Sequence, residues 1–236
     1  MIVLSYNLKG GVGKSTLVCN TAVLCADKGI PAVVIDGDLQ RNTSCFLAEL
    51  GKTEYSKGRT FDYGSVKVGE DVGLLEENNK LILVDAPPAL RFVSEIPKVD
   101  VILIPVDGLW AADGSVTVIA DAKKVAPNAR IIVWYNKAYD SKFSKHERKQ
   151  LAEEFGIVEL FKLPVPASEN FERSVMLNLP VWKVPYSSRS VAVQNFKLLC
   201  EFVSNGCPDG FTYESEDLER AAFSSMNFKR RRDISV

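Results

Sequence analysis

Asn7-Leu8-Lys9-Gly10-Gly11-Val12-Gly13-Lys14-Ser15-Thr16 decides the fold of this chain. A β-branched apolar run at residues 2–6 precedes it and predicts a first strand. Residues 16–28 follow, with Leu17, Val18, Thr21, Ala22, Leu24 and Cys25 at helical spacing. Strand, glycine-rich loop and helix in that order make an anion cradle. Glycines let successive backbone N–H groups turn inward, and the helix N-terminus adds the positive end of its dipole. Lys14 is then placed to reach the β- and γ-phosphates of a nucleotide as a point charge, and the Ser15 hydroxyl to ligate Mg²⁺. Gly10, Gly11, Val12, Gly13, Lys14, Ser15 and Thr16 are the candidate phosphate-binding residues. The general phosphate-loop pattern puts glycine at position 8. This chain has Leu8 there, and it carries a second lysine, Lys9, just ahead of the glycines.

Outward from the loop, short apolar strands alternate with helical stretches. Gly29 is placed to cap the first helix. Strands are predicted at 32–35, 81–84, 101–106 and 130–135, with a sixth inside 156–163; helices are predicted at 111–125, 144–155 and 191–203. That alternation implies an α/β fold, a mostly parallel twisted sheet flanked by helices on both faces. Its ligand crevice should lie beyond the carboxyl ends of the strands. Residues 51–69 are polar and aperiodic, and read as loop with one short edge element. No internal repeat is visible. Residues 1–206 form the expected nucleotide-binding domain. After Gly206 the composition shifts, acidic over 209–219 and basic over 229–232, so that 207–236 reads as a C-terminal helix or tail, not a second domain.

Of the 236 residues, 46% are hydrophobic and 25% charged, with a net charge of -1, which rules out a chain disordered throughout. No apolar run approaches the ~18 residues of a membrane-spanning helix, and the basic start and cleavage site of a signal peptide are missing. The five cysteines are an odd number with no CxxC pair, which argues against a disulfide framework and against zinc or iron–sulfur ligation. A reducing, cytoplasmic setting is expected. His146 is the only histidine, so a histidine triad or histidine-rich metal centre is nearly excluded.

The run from Lys9 to Thr16, KGGVGKST, resembles the deviant Walker A motif of the ParA/MinD family of ATPases. The resemblance implies a P-loop NTPase that binds ATP and Mg²⁺. It also implies that Lys9 leaves its own subunit to touch the phosphates bound in a partner, so that two nucleotides lie sandwiched in a homodimer. Asp36-Gly37-Asp38-Leu39-Gln40 resembles the family's DxDPQ segment, with Leu39 in place of the usual proline. Asp38 matches the aspartate that positions the attacking water. Asp36 belongs either to the outer shell of the metal or to a cap on the strand end. The strand ending Val84-Asp85-Ala86-Pro87-Pro88 resembles Walker B, with Asp85 holding a Mg²⁺-bound water. Asn136, at the end of the fifth strand, matches a residue that reads the adenine edge, and it would also serve as a turn residue. Pro166 would pack on the base, and it recurs with Arg173 and Pro180 at the family's spacing. Lys9, Lys14 and Asp38 are thus the catalytic candidates, and Ser15, Asp36 and Asp85 the metal set.

The same resemblance implies weak hydrolysis of ATP to ADP and phosphate, accelerated by a partner. In the leading reading the ATP dimer binds DNA without sequence preference and a ParB-like partner releases it, in DNA partition or cargo positioning. Arg189 and Lys197 flank the start of the last long helix, where the family often carries DNA-contacting residues. Lys229, Arg230, Arg231 and Arg232 add a compact basic run that could equally be a solvated tail. A MinD-like membrane association ranks second, because the apolar face formed by Ala221, Ala222, Phe223, Met226 and Phe228 is short. A cluster-carrying relative is a poor fit. Cys19 and Cys25 look like core residues of the first helix, and no cysteine closely follows Asp85. With a first strand at Ile2 no helix-turn-helix domain is expected ahead of the phosphate loop, and recognition of a particular site is expected to fall to another protein.

Overall fold

The structure, a computed structural model, describes residues 1–76, 80–89, 92, 95–96, 98–107, 112–138 and 159–214. Along the chain run β1 (Ile2–Ser5), α1 (Lys14–Lys28), β2 (Ala32–Asp36), α2 (Asn42–Leu50), β3 (Phe61–Tyr63), β4 (Val66–Gly69) and β5 (Leu81–Asp85). Then come β6 (Val101–Asp107), α3 (Ala112–Val125), β7 (Arg130–Ala138), β8 (Glu159–Phe161) and β9 (Val165–Pro166). The last elements are α4 (Asn170–Leu177), α5 (Val191–Ser204) and β10 (Thr212–Glu214). Among the described residues the ten strands form one sheet in the order β10-β8-β7-β6-β1-β5-β2-β4-β3, with β9 beside β7. The central pairs are parallel, and the two ends, β10 on β8 and β3 on β4, are antiparallel.

The strands are apolar on both faces because both faces are covered. Val3, Val34, Leu83, Leu103 and Trp134 point to one side, where α1, α2 and α5 supply Leu17, Ala22, Leu47, Phe196 and Leu199. Their neighbours Leu4, Val33, Ile35, Val84, Ile102 and Val133 point to the other, against Val118, Ile119 and Ala122 of α3. Side chains alternate along a strand, so each run of five or six apolar residues feeds two cores. Gly29 caps α1 with φ 66, where its N–H reaches the Ala26 carbonyl at 3.1 Å. Cys19 and Cys25 are buried in α1 as core residues.

The stretch 51–69 departs from its reading as loop with one short edge element. It contains a hairpin, β3 and β4, turned at Gly64 with φ 58, and β4 extends the parallel sheet beside β2. Val66 and Val68 are fully buried and carry the alternation, which the surrounding Gly and Lys residues mask in the sequence. Helices α2 and α4 are further elements that the sequence does not predict. They are nine and eight residues long, too short for a periodic signal to stand out. Past residue 206 the chain still belongs to the body: Cys207 is buried, and β10 lies inside the stretch expected as tail. The helix expected at 144–155, His146, the segment 221–228 and the basic run Lys229 to Arg232 lie outside the described residues.

Candidate nucleotide-binding site

β1, β2, β5, β6 and β7 end together, and their carboxyl ends frame an open cleft of about 1110 Å³. Gly10, Gly11, Gly13, Lys14, Ser15 and Thr16 line it, with Asp38, Asn136 and Pro166. The loop between β1 and α1 is curled by left-handed glycines, Gly11 at φ 71 and Gly13 at φ 106. A Cβ at Gly13 would come within 2.8 Å of Asn136 Nδ2 and 3.1 Å of the Trp134 ring, so this position admits glycine alone. Val12 is buried under the loop, and its carbonyl accepts a hydrogen bond from Asn136 Nδ2 at 2.8 Å. Asn7 anchors the other side. Its Nδ2 donates to the Pro105 carbonyl at 2.7 Å, and its Oδ1 accepts the Lys9 N–H at 2.9 Å.

Lys14 is 6% exposed, and its ammonium donates to the Lys9 carbonyl at 3.1 Å. Burial lowers its pKa, while the nearby Asp85 and Asp38 carboxylates oppose that shift. Lys9 points outward, its side chain 58% exposed, with Nζ 3.8 Å from Asp107 Oδ2. Lys137 pairs with the same Asp107 oxygen at 3.1 Å and also reaches the Gly11 carbonyl at 3.4 Å.

Asp36 and Asp85 close β2 and β5 and are register partners across the sheet. Burial pushes the Asp85 carboxyl up to about 6, and the like charge of Asp36 adds to this; hydrogen bonds from Thr43 and Ser15 and the charge of Lys14 pull the other way. Thr43 Oγ1 donates to Asp85 Oδ2 at 2.6 Å, whereas Asp85 Oδ1 is buried without a hydrogen-bond partner. Both Asp36 oxygens are occupied by backbone donors, the Ser44 N–H at 2.8 Å and the Asp38 N–H at 3.3 Å. Burial raises the Asp36 pKa, and those bonds together with Arg41 lower it. Asp38 is half-buried in the turn after β2, and its Oδ1 accepts the Gln40 N–H at 3.0 Å.

These groups suit a triphosphate with a divalent cation. Asp85 keeps one buried oxygen without a hydrogen-bond partner, and Lys14 stands close by, so the pair offers an acceptor to a hydrated cation and a positive charge to phosphate. Among the described residues no group of three or more His, Cys, Asp or Glu side chains converges. That suits magnesium, which takes few protein ligands and completes its shell with phosphate oxygens and water. Thr43, Asn7, Trp134, Asp107 and Lys137 were missed as site residues by the sequence reading. For Asn7 a signal existed, since an Asn two residues before a loop amide is the pattern of an Asx turn. Thr43 carried none, because its role depends on where α2 lies.

The family model described as the CobQ/CobB/MinD/ParA nucleotide binding domain matches residues 3–181. The chain belongs to that family. Its fold is the P-loop NTPase fold of the ParA/MinD type, with the sheet and flanking helices expected from the sequence. Solved structures of the same shape include McdA from Cyanothece in an ATP complex, at TM-score 0.65 and 15% identity over 88% of this chain and 97% of that one. A ParA family ATPase from Chlorobium tepidum superposes with TM-score 0.65 at 16% identity, covering 84% of this chain and 98% of that one. MinD from Pyrococcus horikoshii, solved with Mg-ADP, gives TM-score 0.62 at 18% identity, over 86% of this chain and 95% of that one. A curated relative from Methanocaldococcus jannaschii, described as uncharacterized, is 34% identical over 101 residues. The match covers 41% of this chain and only 39% of the relative's length. No helix among the described residues is long and apolar enough to cross a membrane.

Proposed function

We propose that this member of the family is an ATP-dependent dimerising ATPase that acts as a switch in DNA partition or cargo positioning. The observation that carries the reading is the division of labour between two lysines of one loop. Lys14 is buried beside Asp85 and Asp38, while Lys9 stands at the rim with its side chain mostly in solvent. A buried ammonium would serve the phosphates of its own subunit, and an exposed one five positions earlier, 3.8 Å from Asp107, would turn from that carboxylate to serve a neighbour's.

Hydrolysis of a phosphoanhydride by water needs positioning and charge neutralisation more than covalent chemistry. Bound magnesium would neutralise the β- and γ-phosphate oxygens and hold water. Ser15 and Asp85 would hold that ion, with Asp36 behind them fixing the 36–44 segment through the Asp38 and Ser44 amides. The loop amides from Gly10 to Thr16 would cradle the phosphates. Asp38 would accept a proton-bearing contact from the attacking water and orient it. Asn136 retains one amide hydrogen and one lone pair beyond its bonds to Val12 and Lys137, enough to read an adenine edge beside Pro166. Turnover without a partner would be slow, since no histidine or arginine reaches the cleft from this chain's described residues. In this reading the ATP form is the dimer, non-specific DNA binds the dimer, and a ParB-like protein ends the state by stimulating hydrolysis. Arg189 and Lys197 are exposed just before and along α5, where phosphate contacts are open to them.

Sedimentation of the full chain with ATP and magnesium tests the switch. The wild type should dimerise with ATP and not with ADP. Lys9→Ala should keep ADP binding and lose the dimer; a Lys9→Ala dimer of wild-type affinity would refute the role of Lys9 in the partner's site. Paired pull-downs with ATP at fixed salt, one on non-specific duplex DNA and one on anionic liposomes, then separate the DNA reading from a membrane-associated one.

A further inference from the structure

Arg41 closes the turn that carries Asp38 and lines none of the nucleotide cleft. Its backbone is left-handed, φ 55, a conformation that disfavours any residue with a Cβ. Its N–H donates to the Asp38 carbonyl at 3.1 Å. Its guanidinium donates through Nη1 to the Asp36 carbonyl oxygen and pairs through Nη2 with Glu70 Oε2 at 3.2 Å. The two side chains are 16% and 11% exposed. One planar fork thus joins the end of β2 to the residue that follows β4.

Glu70 is itself held from a third direction. The Tyr55 hydroxyl donates to Glu70 Oε1, and the Gly58 N–H reaches the same oxygen at 3.2 Å. Burial alone would raise the Glu70 pKa, yet these two donors and the charges of Arg41 and Lys57 hold it below the ordinary glutamate value. The acceptor under Arg41 is therefore a carboxylate at neutral pH, and a charge-assisted bond to a guanidinium is among the stronger hydrogen bonds available.

We propose that Arg41 and Glu70 are positioning residues for Asp38. The Arg41 guanidinium, seated on Glu70, holds the 36–41 turn in the shape that presents the Asp38 carboxylate to the cleft. The 53–60 segment, through Tyr55 and Gly58, sets where Glu70 sits. The inference rests on the role given to Asp38 in the proposed function. It extends the machinery for hydrolysis about thirty positions along the chain, to a hairpin whose residues line none of the nucleotide cleft. The physical need is plain. A carboxylate on a short turn must meet a water within hydrogen-bond distance, and a displacement of about 1 Å can cost about a hundredfold in rate.

Single-turnover ATP hydrolysis by the full chain, with ATP affinity and ATP-dependent dimerisation measured beside it, tests this. Glu70→Gln and Arg41→Lys should slow hydrolysis about tenfold while ATP affinity stays within about twofold and the dimer persists. Tyr55→Phe, in an exposed segment and with little risk to folding, should slow it about threefold with the same split. A lesion that acts only by loosening the fold would weaken nucleotide binding, dimerisation and hydrolysis together, and that pattern would overturn the proposal. So would wild-type hydrolysis in Glu70→Gln. Asp38→Ala measured in parallel keeps the two claims apart: normal hydrolysis there removes Asp38 from its role, whatever Glu70 does.

Discussion

At the scale of single residues, the deciding quantity is the charge balance around Asp85. Its carboxyl is pushed up to about 6 by burial, so the folded protein holds that proton more tightly than the unfolded chain does. The Asp85 contribution to the stability of the metal-free protein should therefore be fullest below about pH 4 and be lost as pH rises from about 4 to about 6, the window between the unfolded and folded values. Asp85→Asn keeps an oxygen for Thr43 and removes the charge. At pH 7 without magnesium it should be more stable than the wild type, by at most about 3 kcal/mol, while losing magnesium-dependent ATP binding. Denaturant unfolding at pH 4 and pH 7 checks both signs; a stability difference that does not change with pH would contradict the buried-charge account. In the wild type, magnesium-dependent ATP affinity should be level above pH 7 and weaken as pH drops through 6, because the proton competes with the ion. Gly13→Ala is the steric counterpart. With φ 106 and a 2.8 Å approach to Asn136, the added methyl should cost about 2–3 kcal/mol and abolish nucleotide binding.

At the scale of elements, α2 matters more than its nine residues suggest. Its first turn supplies Thr43 to Asp85 and the Ser44 N–H to Asp36, so one short helix satisfies carboxylates on two different strands. Thr43→Val keeps the shape and deletes the donor. It should destabilise the protein by about 1–3 kcal/mol. Since the hydrogen bond from Thr43 favours the charged Asp85 carboxylate, its loss should also move the pH midpoint of magnesium-dependent ATP binding upward. A midpoint that stays in place, read from ATP titrations across pH 5–8, would mean that α2 is a packing element and nothing more. The link between α1 and the segment before α5 has the same logic. Asn20 donates to the Thr16 carbonyl at 2.9 Å and accepts the Val181 N–H at 2.9 Å, the second bond buried.

At the scale of the whole molecule, the sheet extends beyond the part that makes the cleft. Arg130 at the start of β7 pairs with Glu159 of β8 and donates to the Cys207 carbonyl at 2.6 Å, and Thr212 Oγ1 donates to Glu159 Oε1 at 2.6 Å. The chain after residue 206 is thus buttoned to the sheet by a half-buried ionic cluster, even though its composition shifts there. Two truncations isolate this. Removing 207–236 should lower the thermal midpoint by on the order of 10 °C, because it strips β10 and leaves Arg130 and Glu159 short of partners. Removing 215–236 should spare it. Equal midpoints for the two would mean that β10 adds nothing to the body.

The sequence alone determined the features that neighbouring residues produce. Strand, glycine loop and helix are adjacent in the chain, so the curled loop and the two lysines it carries were legible, as were the apolar runs of the central strands and the carboxylates at their ends. A covered sheet must be apolar on both faces, and that requirement writes itself into any window of five residues. The tertiary structure decided what depends on the order of strands. Asn136 lies 124 positions from the Val12 carbonyl it holds, Thr43 lies 42 from Asp85, and Glu70 meets Arg41 because β4 pairs with β2. No local pattern encodes such meetings. They arise only when the parallel sheet brings strand ends together and removes the water that would otherwise have satisfied those groups.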